Sequence, residues 1–147
     1  MSRIKSYYND FYRELSVIDE ENNNFIKIED FLPKLHGEEC FLDIGCGHGG
    51  VCSELINKGY NVSGIEINDS AIKSLQSKGY KTYRRDITKP LNINSKFNII
   101  LILDVLEHLF DPVHLLQEAK KIVKNNGHII VTIPLYFDII DRLKILF

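Results

Sequence analysis

Little in the bulk composition assigns this chain, and each shortage excludes something. There are three cysteines in 147 residues, Cys40, Cys46 and Cys52, an odd count with no Cys-x-x-Cys pair. That argues against a disulfide framework and against a zinc site. Cys40 opens a strand and Cys52 falls in a helix, so both read as small buried apolar residues. Cys46 lies in a glycine-rich loop, with nothing to mark it as a nucleophile. Neither sign of charge prevails: the formal net charge is -2, which leaves no footprint of a nucleic-acid partner or an anionic membrane surface. No apolar run approaches the roughly 18 residues of a spanning helix. The start, Met1-Ser2-Arg3-Ile4-Lys5, lacks the apolar core of a signal peptide, and a cytoplasmic protein without a membrane span is the expectation.

What is present is an ordinary globular composition, 44% hydrophobic and 26% charged, enough for one domain with a real core. From residue 40 onward short apolar runs alternate with helical patterns. Strands are expected at 41–44, 62–67, 81–83, 97–103 and 128–133, and helices near 50–58, 70–78 and 112–125. The nearly all-apolar run at 97–103 suits a central parallel strand buried on both faces. In the last helix Asp111 is placed to cap, Pro112 to begin the first turn, and Leu115, Leu116, Ala119, Ile122 and Val123 to form one stripe. Lys120, Lys121 and Lys124 favour its negative end, with Gly127 as a stop. The joints Lys58-Gly59-Tyr60 and Lys78-Gly79-Tyr80 recur one helix-plus-strand unit apart, as successive βα units would have them. Such units make an open parallel sheet covered by helices.

Residues 1–35 read as a helical cap ahead of a core at 36–147. Tyr7, Tyr8, Phe11, Tyr12 and Leu15 form an aromatic stripe; the alternatives are helices packed on the sheet or a lid over a ligand.

Ligands of an open α/β sheet bind beyond the carboxyl ends of its strands. Here the first strand runs into Phe41-Leu42-Asp43-Ile44-Gly45-Cys46-Gly47-His48-Gly49-Gly50, a carboxylate followed by a turn whose glycines let the backbone bend and a ligand approach. The next strands end at Glu66, at Asp86, and at Asp104 with Glu107 and His108 behind it. Glu66 lies about twenty residues past the loop, where an acid can accept from both ribose hydroxyls. Asp86 is placed to accept from the exocyclic amine of an adenine. Asp43 can hold the loop amides or an ammonium group. A net-negative pocket with open backbone amides suits an adenosine carrying a cationic tail.

These segments together resemble the class I S-adenosylmethionine-dependent methyltransferases, in the group that includes the ubiquinone-biosynthesis O-methyltransferases. The matching stretches are the loop at 41–50, Gly64-Ile65-Glu66-Ile67-Asn68, Arg85-Asp86-Ile87, and Asp104-Val105-Leu106-Glu107-His108-Leu109 with Asp111-Pro112. The likeness covers about residues 35–147. It implies a doubly wound, mostly parallel, Rossmann-like α/β fold of about five strands. It implies S-adenosylmethionine as cofactor, held by Asp43, Gly45, Cys46, Gly47, His48, Gly49, Glu66, Ile67, Asp86, Ile87, Leu103, Asp104 and Val105. Ile67 and Ile87 would flank the adenine, and Leu103 and Asp104 would contact the methionine portion or the adenosine. The reaction this implies is methyl transfer to an O or N acceptor, expected to be a small molecule rather than a nucleic acid. His108 is the candidate base, with a structural role after strand four as its alternative. No metal ligand set is expected.

Two rival readings follow from the residues. Gly45-Cys46-Gly47-His48-Gly49-Gly50 also spells the dinucleotide pattern GxGxxG, so an NAD-binding domain competes; Asp43 argues against it, because a pyrophosphate gains nothing from a neighbouring carboxylate. The other rival is a donor-binding protein that is catalytically incomplete. Members of the family usually continue past the fifth strand with a helix and a final antiparallel pair. The expectation here is therefore a C-terminally truncated sheet, with an apolar helix at its end and a homodimer or partner covering the fifth-strand edge.

Overall fold

A computed structural model describes residues 32–133, and the helical cap or lid expected before them and the apolar helix expected after them lie outside the described residues. Five strands form one parallel sheet in the order β3-β2-β1-β4-β5. They are β1 (Cys40–Ile44), β2 (Asn61–Glu66), β3 (Lys81–Arg84), β4 (Phe97–Leu103) and β5 (Val123–Thr132). Helices α1 (Gly50–Asn57), α2 (Asp69–Ser77) and α3 (Pro112–Ile122) make crossovers, and a short 3₁₀ turn (Leu106–His108) follows β4. The first described strand, β1, lies in the middle of the sheet; the path winds outward through β2 and β3, then returns to β4 on the other side. The doubly wound arrangement expected from the alternation is therefore present, and its switch point lies between β1 and β4.

β4 justifies its apolar run. Ile99, Ile100, Leu101 and Ile102 are each at most 1% exposed, and burial of each contributes about 1.5–3 kcal/mol. One face joins Leu42, Ile44, Leu115 and Ala119; the other joins Phe41, Leu55 and Leu75. A strand flanked by β1 and β5 and covered on both sides fixes the sheet's carboxyl edge rigidly.

The repeated Lys-Gly-Tyr joints are helix stops of the same construction. Gly59 (φ 89) and Gly79 (φ 81) take left-handed backbone. Gly59 N–H donates to Ile56 O and Tyr60 N–H to Leu55 O, and Gly79 and Tyr80 repeat the pattern on Gln76 and Leu75. Each pair satisfies carbonyls that the helix end leaves open. Tyr60 then packs on Phe41 with ring centroids 5.2 Å apart.

The last crossover departs from the sequence reading. α3 starts as expected, with Asp111 accepting from His114 N–H at 3.0 Å and Pro112 in its first turn. It ends at Ile122 rather than 125, because Val123 turns extended (φ -78, ψ 146) and pairs with Phe97 at the start of β5. The register then shifts between Phe97 and Ile99. Gly127 is no simple stop: a Cβ there would stand 2.7 Å from Asn98 O and 2.6 Å from Val123 Cγ2. Lys124, expected on the helix end, instead donates to Asn98 Oδ1 at 2.9 Å.

Candidate functional site

The parallel register brings the singled-out acids to one edge. Asp43 is the Cα partner of Gly64 in β2 and of Leu101 in β4. Glu66, two residues beyond Gly64, ends β2; Asp86 and Asp104 follow the ends of β3 and β4. Asp43 and Glu66 are buried, each 4% exposed, whereas Asp86 and Asp104 stand on the rim.

Glu66 organises the edge. Its Oε2 accepts from Gly47 N–H at 2.9 Å, and its Oε1 accepts from Ile67 N–H at 2.7 Å and Asn68 N–H at 2.8 Å. One carboxylate thereby ties the glycine loop to the exit of β2. Asn68 continues the junction by capping α2, accepting from Ser70 N–H and Ala71 N–H.

One expectation about the loop is corrected, and one of the two alternatives for Asp43 is not seen. The sequence predicts open loop amides, with Asp43 holding either those amides or an ammonium group. Instead Gly45 N–H and Cys46 N–H both donate to Ile65 O, and Gly49 N–H donates to Cys46 O. With Gly47 on Glu66, the amides of residues 45, 46, 47 and 49 are all spent within the chain. The reason is the buried setting, where an unpaired N–H costs about as much as a lost hydrogen bond. The glycines are needed for close packing as well. Gly45 (φ 79) lies so near the β4 exit that a Cβ would reach 2.7 Å from Val105 Cγ2, and one on Gly49 (φ 83) would reach 2.2 Å from Leu75 Cδ2. Of the expected donor contacts, Cys46 is buried with its thiol directed at Gly64, a Cβ on which would meet Cys46 Sγ at 2.5 Å. His48 is exposed.

Asp43 has a different environment. Its side chain meets the Cys52 thiol, which donates to Oδ2 at 3.3 Å. Burial raises its pKa to about 6; the thiol hydrogen bond opposes the rise and the nearby Glu66 charge adds to it. The Cys52 thiol is itself pushed up, first by its hydrogen bond with Cys46 and then by burial.

Asp86 sits in its own turn. Oδ1 accepts from the Thr88 hydroxyl at 2.6 Å and Thr88 N–H at 3.0 Å, and Lys89 Nζ lies 3.3 Å from Oδ2. Partial burial pushes its pKa up, but these donors prevail and hold it below the usual carboxylate range. Ile67 and Ile87 are half-buried beside the two acids. Asp104 takes left-handed backbone (φ 51) and is braced by β5: Thr132 Oγ1 donates to its Oδ1 at 2.9 Å, and Asp104 N–H faces Thr132 O at 3.2 Å. Leu103 is half-buried and Val105 is buried against the loop. His108 closes the 3₁₀ turn with Nε2 3.8 Å from Glu107 Oε1.

Sequence reasoning missed three supporting residues: Thr132 under Asp104, Asn98, whose Oδ1 accepts from Cys40 N–H at 3.0 Å, and Glu118. Position 118 falls on the same helix face as Leu115 and Ile122, so an acid inside an apolar stripe was the available signal.

A Rossmann-like sheet with a glycine loop and acids at successive carboxyl ends defines a nucleoside-binding α/β class. A family model described as a methyltransferase domain matches residues 18–145, and the chain belongs to that family. Among curated relatives, the ubiquinone biosynthesis O-methyltransferase of Actinobacillus pleuropneumoniae serotype 7 is 34% identical over 113 residues, 69% of this chain and 45% of the relative. That of Nitrosomonas europaea is 28% identical over 97 residues, 61% of this chain and 41% of the relative. The chain thus spans less than half of either. Among solved structures, an S-adenosylmethionine-dependent methyltransferase from Clostridium acetobutylicum matches with a TM-score of 0.67 at 23% identity, over 89% of this chain and 59% of that one. The plantazolicin methyltransferase in complex with SAH matches with a TM-score of 0.62 at 24% identity, over 72% and 43%. At these identities the structures speak for the fold. Among the described residues no helix is long and apolar enough to cross a membrane.

Proposed function

We propose that this chain is the donor-binding core of an S-adenosylmethionine-dependent methyltransferase acting on a small-molecule O or N acceptor. The observation that carries the reading is the chemistry of the carboxyl edge. Four loop amides are already satisfied internally, while carboxylates stand at four successive strand ends. Such an edge has little to offer a pyrophosphate, which needs free N–H donors. It suits hydroxyls, an exocyclic amine and an ammonium, all of which donate to carboxylates. The methyltransferase family and the O-methyltransferase relatives point the same way.

In this reading Glu66 keeps acceptor capacity on Oε2 for the ribose hydroxyls, Asp86 accepts from the adenine amine, and Ile67 and Ile87 cover the faces of the base. Asp43 and Asp104 lie toward the methionine end, beside the glycine loop and Val105. The S-adenosylmethionine sulfonium supplies an activated methyl with its own leaving group, so the protein's task is alignment and exclusion of water. His108 would take the proton of an O–H or N–H acceptor, and Glu107 at 3.8 Å would face the resulting imidazolium.

Calorimetric titration of the chain with S-adenosylhomocysteine and with NAD tests the reading. Binding of the first without the second is expected; NAD binding alone overturns it.

A further inference from the structure

Among the described residues Leu91 is the most deeply buried large side chain outside the helices and strands. It is 0% exposed, lies in the connection between β3 and β4, and has no strand neighbour to take its backbone groups. Charged side chains take them instead. Leu91 N–H donates to Glu118 Oε2 at 2.9 Å, and Leu91 O accepts from Arg85 Nε at 2.9 Å. Glu118 reaches there from the buried face of α3, 6% exposed itself, with Lys121 Nζ on its other oxygen. Lys121 foremost, and then the Leu91 N–H, keep its carboxyl below the usual range. Arg85 is anchored at its own backbone, where its N–H donates to Glu66 O at 3.1 Å.

The consequence is geometric. The Arg85 side chain closes residues 85–91 into a loop, and Glu118 fastens the far end of that loop to α3. Inside it sit Asp86 and Ile87. Hydrogen bonds within the Asp86 turn fix its local shape, Arg85 N–H on Glu66 O ties its start to β2, and these two side-chain contacts fasten its far end, closing it on Leu91 and tying it to α3. A buried carboxylate is costly to keep in a helix, and a mere surface crossover would not require one.

We propose that Glu118 and Arg85 are positioning residues for base recognition, holding the Asp86 turn where its carboxylate meets the exocyclic amine of the donor's adenine. The inference rests on the donor reading given above. It predicts which variants lose discrimination between bases without touching the ligand.

The test compares the affinities of the full chain for S-adenosylhomocysteine and for its hypoxanthine analogue, in which a carbonyl replaces the amine. A carboxylate aimed at that position gives wild type a preference of about tenfold or more for the adenine form. Glu118→Leu and Arg85→Met should each bring the ratio at least about fivefold closer to unity, whereas Glu118→Gln, which keeps an acceptor for Leu91 N–H, should stay within about twofold of wild type. General loosening of the domain lowers both affinities together and leaves the ratio alone, so the ratio isolates positioning. An unchanged ratio in Arg85→Met overturns the proposal, and it decides alone if Glu118→Leu does not fold. A Glu118→Gln ratio as low as that of Glu118→Leu overturns it too. Wild type binding both ligands equally sinks the base contact while leaving donor binding intact; wild type binding neither sinks the donor reading itself.

Discussion

Asp43 and Glu66 lie on adjacent strands at the same edge of the sheet and are equally buried, yet the chain treats them in opposite ways. Glu66 accepts from three backbone N–H groups, and its negative charge is part of how the loop and the β2 exit fold. The pKa of Asp43 is raised first by burial and then by the Glu66 charge nearby, and the weak donor it has, the Cys52 thiol, opposes the rise without cancelling it. One acid is stabilised by the fold and the other is held against it. Sites that break local rules at a cost tend to be functional, and under the donor reading proposed above this contrast makes β1 the reactive side of the edge and β2 the structural one.

The largest effect should come from removing the organised acid. Glu66→Ala strands the N–H groups of Gly47, Ile67 and Asn68, and equilibrium urea unfolding should show a loss of about 3–5 kcal/mol, with donor affinity falling at least about tenfold. A loss well under 1 kcal/mol would mean that water replaces Glu66 freely, and the contrast with Asp43 would collapse.

Asp43→Asn should act in the opposite direction. The native pKa of about 6 lies above the unfolded value near 3.9, so the folded state binds more protons between the two and stability falls as pH rises through that window. At pH 7.5 the asparagine variant avoids this cost and should be more stable than wild type by up to about 3 kcal/mol, with the difference vanishing near pH 4. If Asp43 meets the donor's ammonium, wild-type donor affinity rises as pH passes 6 and the variant's does not. A variant less stable at pH 7.5 than at pH 4 relative to wild type reverses the sign and removes the argument.

Gly64 lies between the two acids, as the Cα partner of Asp43. An alanine there would bring its Cβ to 2.5 Å from Cys46 Sγ and 3.3 Å from Cys46 Cβ. Overpacking of this kind costs about 1–3 kcal/mol. Cys46→Gly in the same chain should recover most of it, and a double-mutant cycle with no coupling would show that the loop yields freely.

Much of this was legible in the residues because parallel strands oblige acids at their ends to share an edge. The glycine loop, Glu66, Asp86 and the Lys-Gly-Tyr stops all announce themselves by local spacing. What stayed hidden depends on contacts between distant segments. Nothing near Asp43 in sequence says that Ile65 and Glu66 will take the loop amides. Nothing near Leu91 points to Glu118, 27 positions away. The early end of α3 was missed because Val123 and Lys124 continue a helical pattern that pairing with Phe97 and Asn98 overrides; tertiary context outweighs propensity there.

The finest probe of the contrast is the thiol beside Asp43. Cys52 donates to Oδ2 at 3.3 Å, and that bond is what restrains the rise in the Asp43 pKa against burial and the Glu66 charge. Cys52→Ala removes the donor, so Asp43 should stay protonated to higher pH. The pH at which donor affinity climbs should then move upward relative to wild type. The stability change at neutral pH should be modest, about 1 kcal/mol, and smaller still in an Asp43→Asn background, where no charge remains for the thiol to stabilise. Calorimetric donor titrations across pH 5 to 8 read the midpoint directly. A midpoint that does not move would mean the thiol contributes nothing to Asp43, and burial and Glu66 alone would then set its charge.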